Sequence, residues 1–129
     1  MSGFRHRYVG KIGYCSNAAL GMKGADGKPL KGGHYVYIRE VSGSRCNVNV
    51  ITSLEDQHER FDFGKLSKVK RGYLYPIPKD DANFPRWSAV NLDGNINNVK
   101  ISDIKSVGAK SMKKRHRFFV GRYTKKPRN

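Results

Sequence analysis

The stretch that most constrains the fold lies between residues 34 and 53. His34-Tyr35-Val36-Tyr37-Ile38-Arg39-Glu40-Val41 and Arg45-Cys46-Asn47-Val48-Asn49-Val50-Ile51-Thr52-Ser53 are rich in β-branched and aromatic residues, and Ser42-Gly43-Ser44 separates them. Two such runs around a short glycine-containing connection predict a β-hairpin with a three-residue turn. A side-chain period of two places Cys46, Val48 and Val50 on one face and Asn47 and Asn49 on the other. It likewise separates Val36 and Ile38 from Tyr35, Tyr37 and Arg39. One face is expected to be core and the other polar and aromatic.

The rest of the chain reads mostly as strand and loop. Residues 7–15 combine β-formers with Gly10 and Gly13, which predicts a bent or bulged first strand. Glycines at 21, 24, 27, 32 and 33, with Lys23, Lys28 and Lys31 among them, predict a flexible basic loop. Ser53 with Asp56 three residues on is a capping pattern, so one or two helical turns are expected over 54–60. Further strands are predicted at 72–77, 87–92, 99–101 and 117–123, with a short helix at 102–107. Pro76, Pro78 and Pro85 bracket a segment that must be loop, because proline has no amide donor for a ladder. The expectation is one mainly β domain over 1–123 with one or two short helices, followed by a mobile basic tail at 124–129.

Charge narrows the choice of partner. The 129 residues include 26 Lys+Arg against 10 Asp+Glu, a formal charge of +16. Residues 1–32 carry six cations and one acid, residues 33–104 ten and nine, and residues 105–129 ten and none. A small domain this basic points to a polyanion, with nucleic acid first and an anionic membrane surface a distant second. No run reaches the ~20 apolar residues of a spanning helix, and the start of the chain lacks the apolar stretch of a signal peptide. Two cysteines, Cys15 and Cys46, allow neither a disulfide framework nor a cysteine zinc site, and read as reduced thiols of a cytoplasmic protein.

Familiar catalytic motifs are missing: no phosphate-binding Gly-rich loop ends in Gly-Lys-Ser/Thr, and no Gly-x-Ser-x-Gly elbow occurs. Glu55, Asp56, His58 and Glu59 lie on neighbouring residues of a polar segment, and read as a solvated surface. Arg5-His6-Arg7 and Arg115-His116-Arg117 suit phosphate clamps, or are simply exposed basic stretches. His116 precedes Phe118-Phe119-Val120 and is expected at the edge of a strand held by buried aromatics. His34, anchored just after the lysine-rich loop, is a candidate acid or base. Tyr35, Tyr37, Tyr73, Tyr75 and the segment Phe84 to Trp87 around Arg86 offer flat faces beside cations, as stacking on single-stranded bases requires, or else fill the core.

The order of these pieces resembles the MazF/PemK-like endoribonuclease toxins. The resemblance rests on a basic first strand, the long Gly/Lys loop, the hairpin ending in Val48-Asn49-Val50-Ile51-Thr52-Ser53, and the later Trp-Ser-Ala-Val-Asn-Leu and Val99-Lys100-Ile101-Ser102-Asp103-Ile104 segments. It implies a small SH3-like β-barrel that cleaves single-stranded RNA without a metal or other cofactor, is neutralised by an antitoxin partner, and forms a homodimer. The family places a catalytic Thr or Ser at the end of its third strand, which here is Thr52 and Ser53. Where it has an Arg-Pro opening the second strand this chain has Gly33-His34, which leaves the arginine's role to His34 or Arg39, with Lys31 as a further stabiliser of charge. Arg5, Arg7, Lys23, Lys28, Lys31, Tyr35, Tyr37, Arg86, Arg115, His116 and Arg117 are then candidates for holding the nucleic acid. The competing reading is a non-catalytic RNA- or DNA-binding accessory module, associated with ribosome, plasmid or phage.

Overall fold

A computed structural model describes residues 7–82 and 84–124. Arg5 and His6 of the first basic cluster, and residues 125–129 of the tail, lie outside them. The elements are β1 (Lys11–Ser16), β2 (Gly33–Ser42), β3 (Arg45–Ser53), α1 (Phe63–Lys70), β4 (Leu74–Ile77), β5 (Ser88–Lys100), a 3-10 turn (Ile101–Asp103), β6 (Ile104–Ser111) and α2 (Lys114–Tyr123). The fold is mainly β, as the alternation predicts. One antiparallel sheet runs in the order β4-β5-β3-β2-β1-β6. β4 and β6 are its edges and share no ladder, so the sheet is open where the resemblance implies a barrel.

The β2–β3 hairpin forms with Val36 opposite Val50 and Ile38 opposite Val48. Ser42 pairs with Arg45, so the connection is two residues long rather than three. Gly43 takes φ 61°, the positive value that the first position of a tight hairpin turn demands. The even-numbered face meets Cys15, Leu20, Val99 and Ile104 in one core. The odd-numbered face is covered as well: Tyr37 and Ile51 join Ile12, Ile77, Phe84, Val90, Leu92, Met112 and Val120 in a second core. The expectation of one polar-aromatic face is therefore corrected. α2 and the loop after β4 lie over it, and such two-sided burial makes β3 nearly continuous in its interior.

Four further expectations change. Residues 54–60 form no helix, because Ser53 Oγ bonds the Glu55 backbone and Asp56 Oδ1 accepts the His58 and Arg60 amides, taking donors a helix would use. The helix begins only at Phe63, where Asp62 caps the Lys65 amide. The segments expected as two strands at 87–92 and 99–101 are one strand, β5, whose extra residues bulge against β3 on either side of the Asn49–Asn95 pair. Residues 102–107 give only the 3-10 turn and the start of β6, and residues 117–123 are helical. In α2, Val120 packs into the odd-face core and His116 is buried one turn earlier, so tertiary packing overrides the β-propensity of Phe118-Phe119-Val120.

Candidate functional site

A cleft of about 690 Å³ opens on the even-numbered side of the sheet. Its floor is Val50 and Thr52 of β3 with Asn91, Asp93 and Asn95 of β5, and one wall is α1 with the turn after it, bringing Lys65, Lys68, Arg71 and Tyr73. His34 at the start of β2 and Met22 from the glycine-rich loop close the other side. The helix wall is basic because Lys65 and Lys68, three residues apart, share a face. Arg71 lies over the Tyr73 ring with its guanidinium carbon 5.1 Å from the centroid.

The position of His34 depends on its neighbour. A Cβ on Gly33 would stand 2.5 Å from the Cys15 carbonyl oxygen and 2.9 Å from the Tyr14 ring, so only glycine lets β2 begin this close to β1. The chain then presents His34 to Asn17, with Nδ1 2.6 Å from Asn17 Oδ1. Asn17 Nδ2 donates to the Lys31 carbonyl at 2.8 Å, so the oxygen of this buried amide faces the imidazole and can only accept. Nδ1 therefore carries the proton, and in the neutral ring Nε2 keeps its lone pair. Burial, with the Lys65 charge as second cause, holds the His34 pKa below its ordinary value.

Lys65 bridges helix and strand. Its Nζ donates to Thr52 Oγ1 at 2.9 Å and to the Ser53 carbonyl at 2.8 Å, leaving one of three ammonium protons for an anion in the cleft. Replacing Lys65 with Met should raise the His34 pKa. It should still lie below about 6.5, because burial remains. Titration of the His34 ring protons by NMR in the two proteins would measure the change, and an unmoved pKa would remove Lys65 from the site's electrostatics.

Of the residues proposed from sequence, the cleft unites His34 and Thr52. Ser53 contributes its carbonyl, while its hydroxyl closes the turn with Glu55. Arg39 lies five residues along β2 from His34, roughly 16 Å at the usual rise, and is bound to Glu40 and to Asn95 Oδ1. Lys23, Lys28 and Lys31 are exposed on a loop tied together by a Lys23–Pro29 bridge and by the Gly24 amide on the Lys28 carbonyl. Tyr37 is core. Tyr35 is partly exposed against Phe84, with Lys110 over both rings. Arg86 is half-buried just before β5, and Arg7 lies over its neighbour Tyr8.

In the second basic cluster His116 is buried, Arg117 half-buried and Arg115 exposed. His116 Nε2 and Arg115 both reach Asp81 Oδ2 at 2.7 Å, and Lys113 reaches Oδ1 at 3.1 Å. With Nε2–H on the carboxylate, the neutral ring accepts the Tyr75 hydroxyl at Nδ1, 2.7 Å away. Arg117 packs across Gly10. These contacts hold α2 to the fold, with His116 buried and Arg115 still exposed. Hydrogen bonds from His116, Arg115 and Lys113 hold the Asp81 carboxyl well below the usual carboxylate range. A depressed carboxyl stabilises the fold above its unfolded pKa and loses that effect as pH falls through the folded value. Asp81→Asn is therefore expected to lower the melting temperature near neutral pH, with the gap from wild type closing below about pH 4. Thermal melts across that range would read it, and a constant gap would count against the ion cluster.

Lys65, Lys68 and Arg71 are not singled out by alternation or segmental charge. The signal was local: Lys65–Arg71 holds four cations and no acid inside a segment whose total charge nearly balances. No protein-family model and no curated protein matches the chain. Among the described residues no helix is long and apolar enough to cross a membrane, and no group of three or more His, Cys, Asp or Glu side chains is placed to hold a metal ion.

Proposed function

We propose that this chain is a cytoplasmic nucleic-acid-binding protein whose cleft cleaves single-stranded RNA with protein groups alone. The observation that carries the reading is His34, with Nδ1–H fixed on Asn17 and the Nε2 lone pair free, set in a cleft walled by Lys65, Lys68 and Arg71. RNA cleavage needs a base for the 2′-hydroxyl proton and a cation for the charge that grows on the phosphate oxygens. His34 Nε2 takes that proton, the 2′-oxygen bonds to phosphorus, and the bond to the 5′-oxygen breaks, leaving a 2′,3′-cyclic phosphate and a 5′-hydroxyl. Lys65, with Lys68 and Arg71, neutralises the phosphate, and the proton passes to the leaving oxygen from the imidazolium or from water. Thr52 orients Lys65. An acidic partner covering the cleft would neutralise such an enzyme, and self-association into a dimer belongs to the same proposal.

Labelled single-stranded RNA, incubated with the protein in EDTA and alongside duplex DNA, tests the reading. Cyclic-phosphate products from the RNA alone support it. Salt-sensitive retention without cleavage favours the non-catalytic accessory module, and retention of neither polymer removes both. For a single strand, log K should fall with log salt by about 0.7 per phosphate held. Lys68→Ala should reduce that slope by about one such step, as anisotropy titrations at several salt concentrations would show.

A further inference from the structure

The outer face of α2 carries rings that the sequence pattern places in a core. Phe118 is 61% exposed, Phe119 43% and Tyr123 51%. Three rings make a ladder: Tyr75 stacks on Phe119 with centroids 5.7 Å apart and planes at 15°, and Phe119 stacks on Tyr123 at 5.8 Å and 19°. Phe118 stands edge-on to Phe119 at 5.9 Å. The base of the ladder is fixed, because the Tyr75 hydroxyl is bonded to buried His116, itself held by Asp81.

We propose that this ladder is a second binding surface, which takes unpaired bases of a single-stranded nucleic acid whose neighbouring segment lies in the cleft. The identification of the polymer rests on the function proposed above. Three observations favour this occupant over a protein segment or a second copy of the chain. The rings are near-parallel, and flat aromatic faces stack on any base. The surface is cationic: Lys114 and Arg122 lie on the same helix, Arg122 is over the Tyr123 ring at 5.7 Å, and no acidic residue occurs from 105 to the end of the sequence. Asp81, which holds His116 at the base of the ladder, is already bonded to Lys113 and Arg115 as well. A second copy of this chain would bring its own cations against these. Finally, the cleft and the ladder meet at the β4 edge, on opposite faces of the sheet. Tyr73, just before β4, lines the cleft, and Tyr75, within β4, is the first rung. A single strand that passes around this edge reaches both.

The test uses the full chain and fluorescein-labelled oligouridine of about 12 nucleotides, within the span of small single-strand sites. Phe118→Ala/Tyr123→Ala should weaken binding about 10-fold or more while keeping the wild-type salt slope, since stacking rather than phosphate contact is removed. Phe118→Trp/Tyr123→Trp should restore it, and Phe118→Leu/Tyr123→Leu, which keeps apolar area without a ring, should not. Binding within about 2-fold of wild type in the alanine variant, or full recovery in the leucine variant, overturns the proposal. So does a wild-type dimer that the alanine variant converts to monomer, which would make the ladder a contact between copies. Circular dichroism confirms that each variant is folded. Ring-dependent binding without RNA cleavage would remove the catalytic reading and keep this surface. Cleavage that depends on His34, with binding indifferent to the rings, would remove this surface alone.

Discussion

His34→Ala is expected to lower the turnover of RNA cleavage by about 10²- to 10⁴-fold, the usual contribution of a positioned general base. The loss should fall on kcat, because the proposed mechanism gives phosphate binding to Lys65, Lys68 and Arg71, which line the cleft with His34. The pH profile supplies the independent check. Burial and the Lys65 charge keep the His34 pKa below its ordinary value, so the ring is neutral and ready to accept a proton at neutral pH. Activity should fall only on the acid side, with the limb below about pH 6.5, as Nε2 becomes protonated. A limb well above that value, or cleavage undiminished in the alanine variant, would exclude His34 as the base.

Ile38→Ala should cost about 2–5 kcal/mol of stability, a large share of the roughly 5–15 kcal/mol typical of a domain. Ile38 is fully buried in the even-face core between Val36 and Val48, and its carbonyl receives the Gly10 amide at 2.9 Å. Truncation removes the packing and leaves a cavity that a sheet covered on both faces cannot easily close. Urea unfolding should show a lower midpoint with an unchanged slope. A midpoint shift worth less than about 1 kcal/mol would mean that the hairpin can repack around the gap.

The hairpin was legible because alternation, β-branching and a glycine turn agreed on it. His34 and Thr52 were legible for a similar reason: both end strands of that hairpin, so a correct register places them on one side. What stayed hidden depended on competition between local and distant partners. Ser53-x-x-Asp56 and Asp62-x-x-Lys65 are both possible helix starts, and the first loses because Asp56 binds the His58 and Arg60 amides within its own loop. In α2 the spacing of four from Met112 to His116 to Val120 was present, but its helical meaning depends on a sheet face that also buries Tyr37 and Ile51. With the helix expected at 54–60 instead of 63–70, Lys65, Lys68 and Arg71 could not be set against His34, and Arg39 or Lys31 was left as the apparent cation.

The two edges of the sheet bear on how such a protein stays in solution. β4 is four residues long and has Pro76 within it, which lacks an amide donor. On β6, Ser106 and Gly108 both take positive φ, at 56° and 93°, and its pairing with β1 shifts register. Neither edge offers another chain an even row of amides and carbonyls to extend. A concentrated solution should therefore resist fibrous, edge-to-edge polymerisation despite a fold that is mainly β, and any assembly it forms has to be built from side chains.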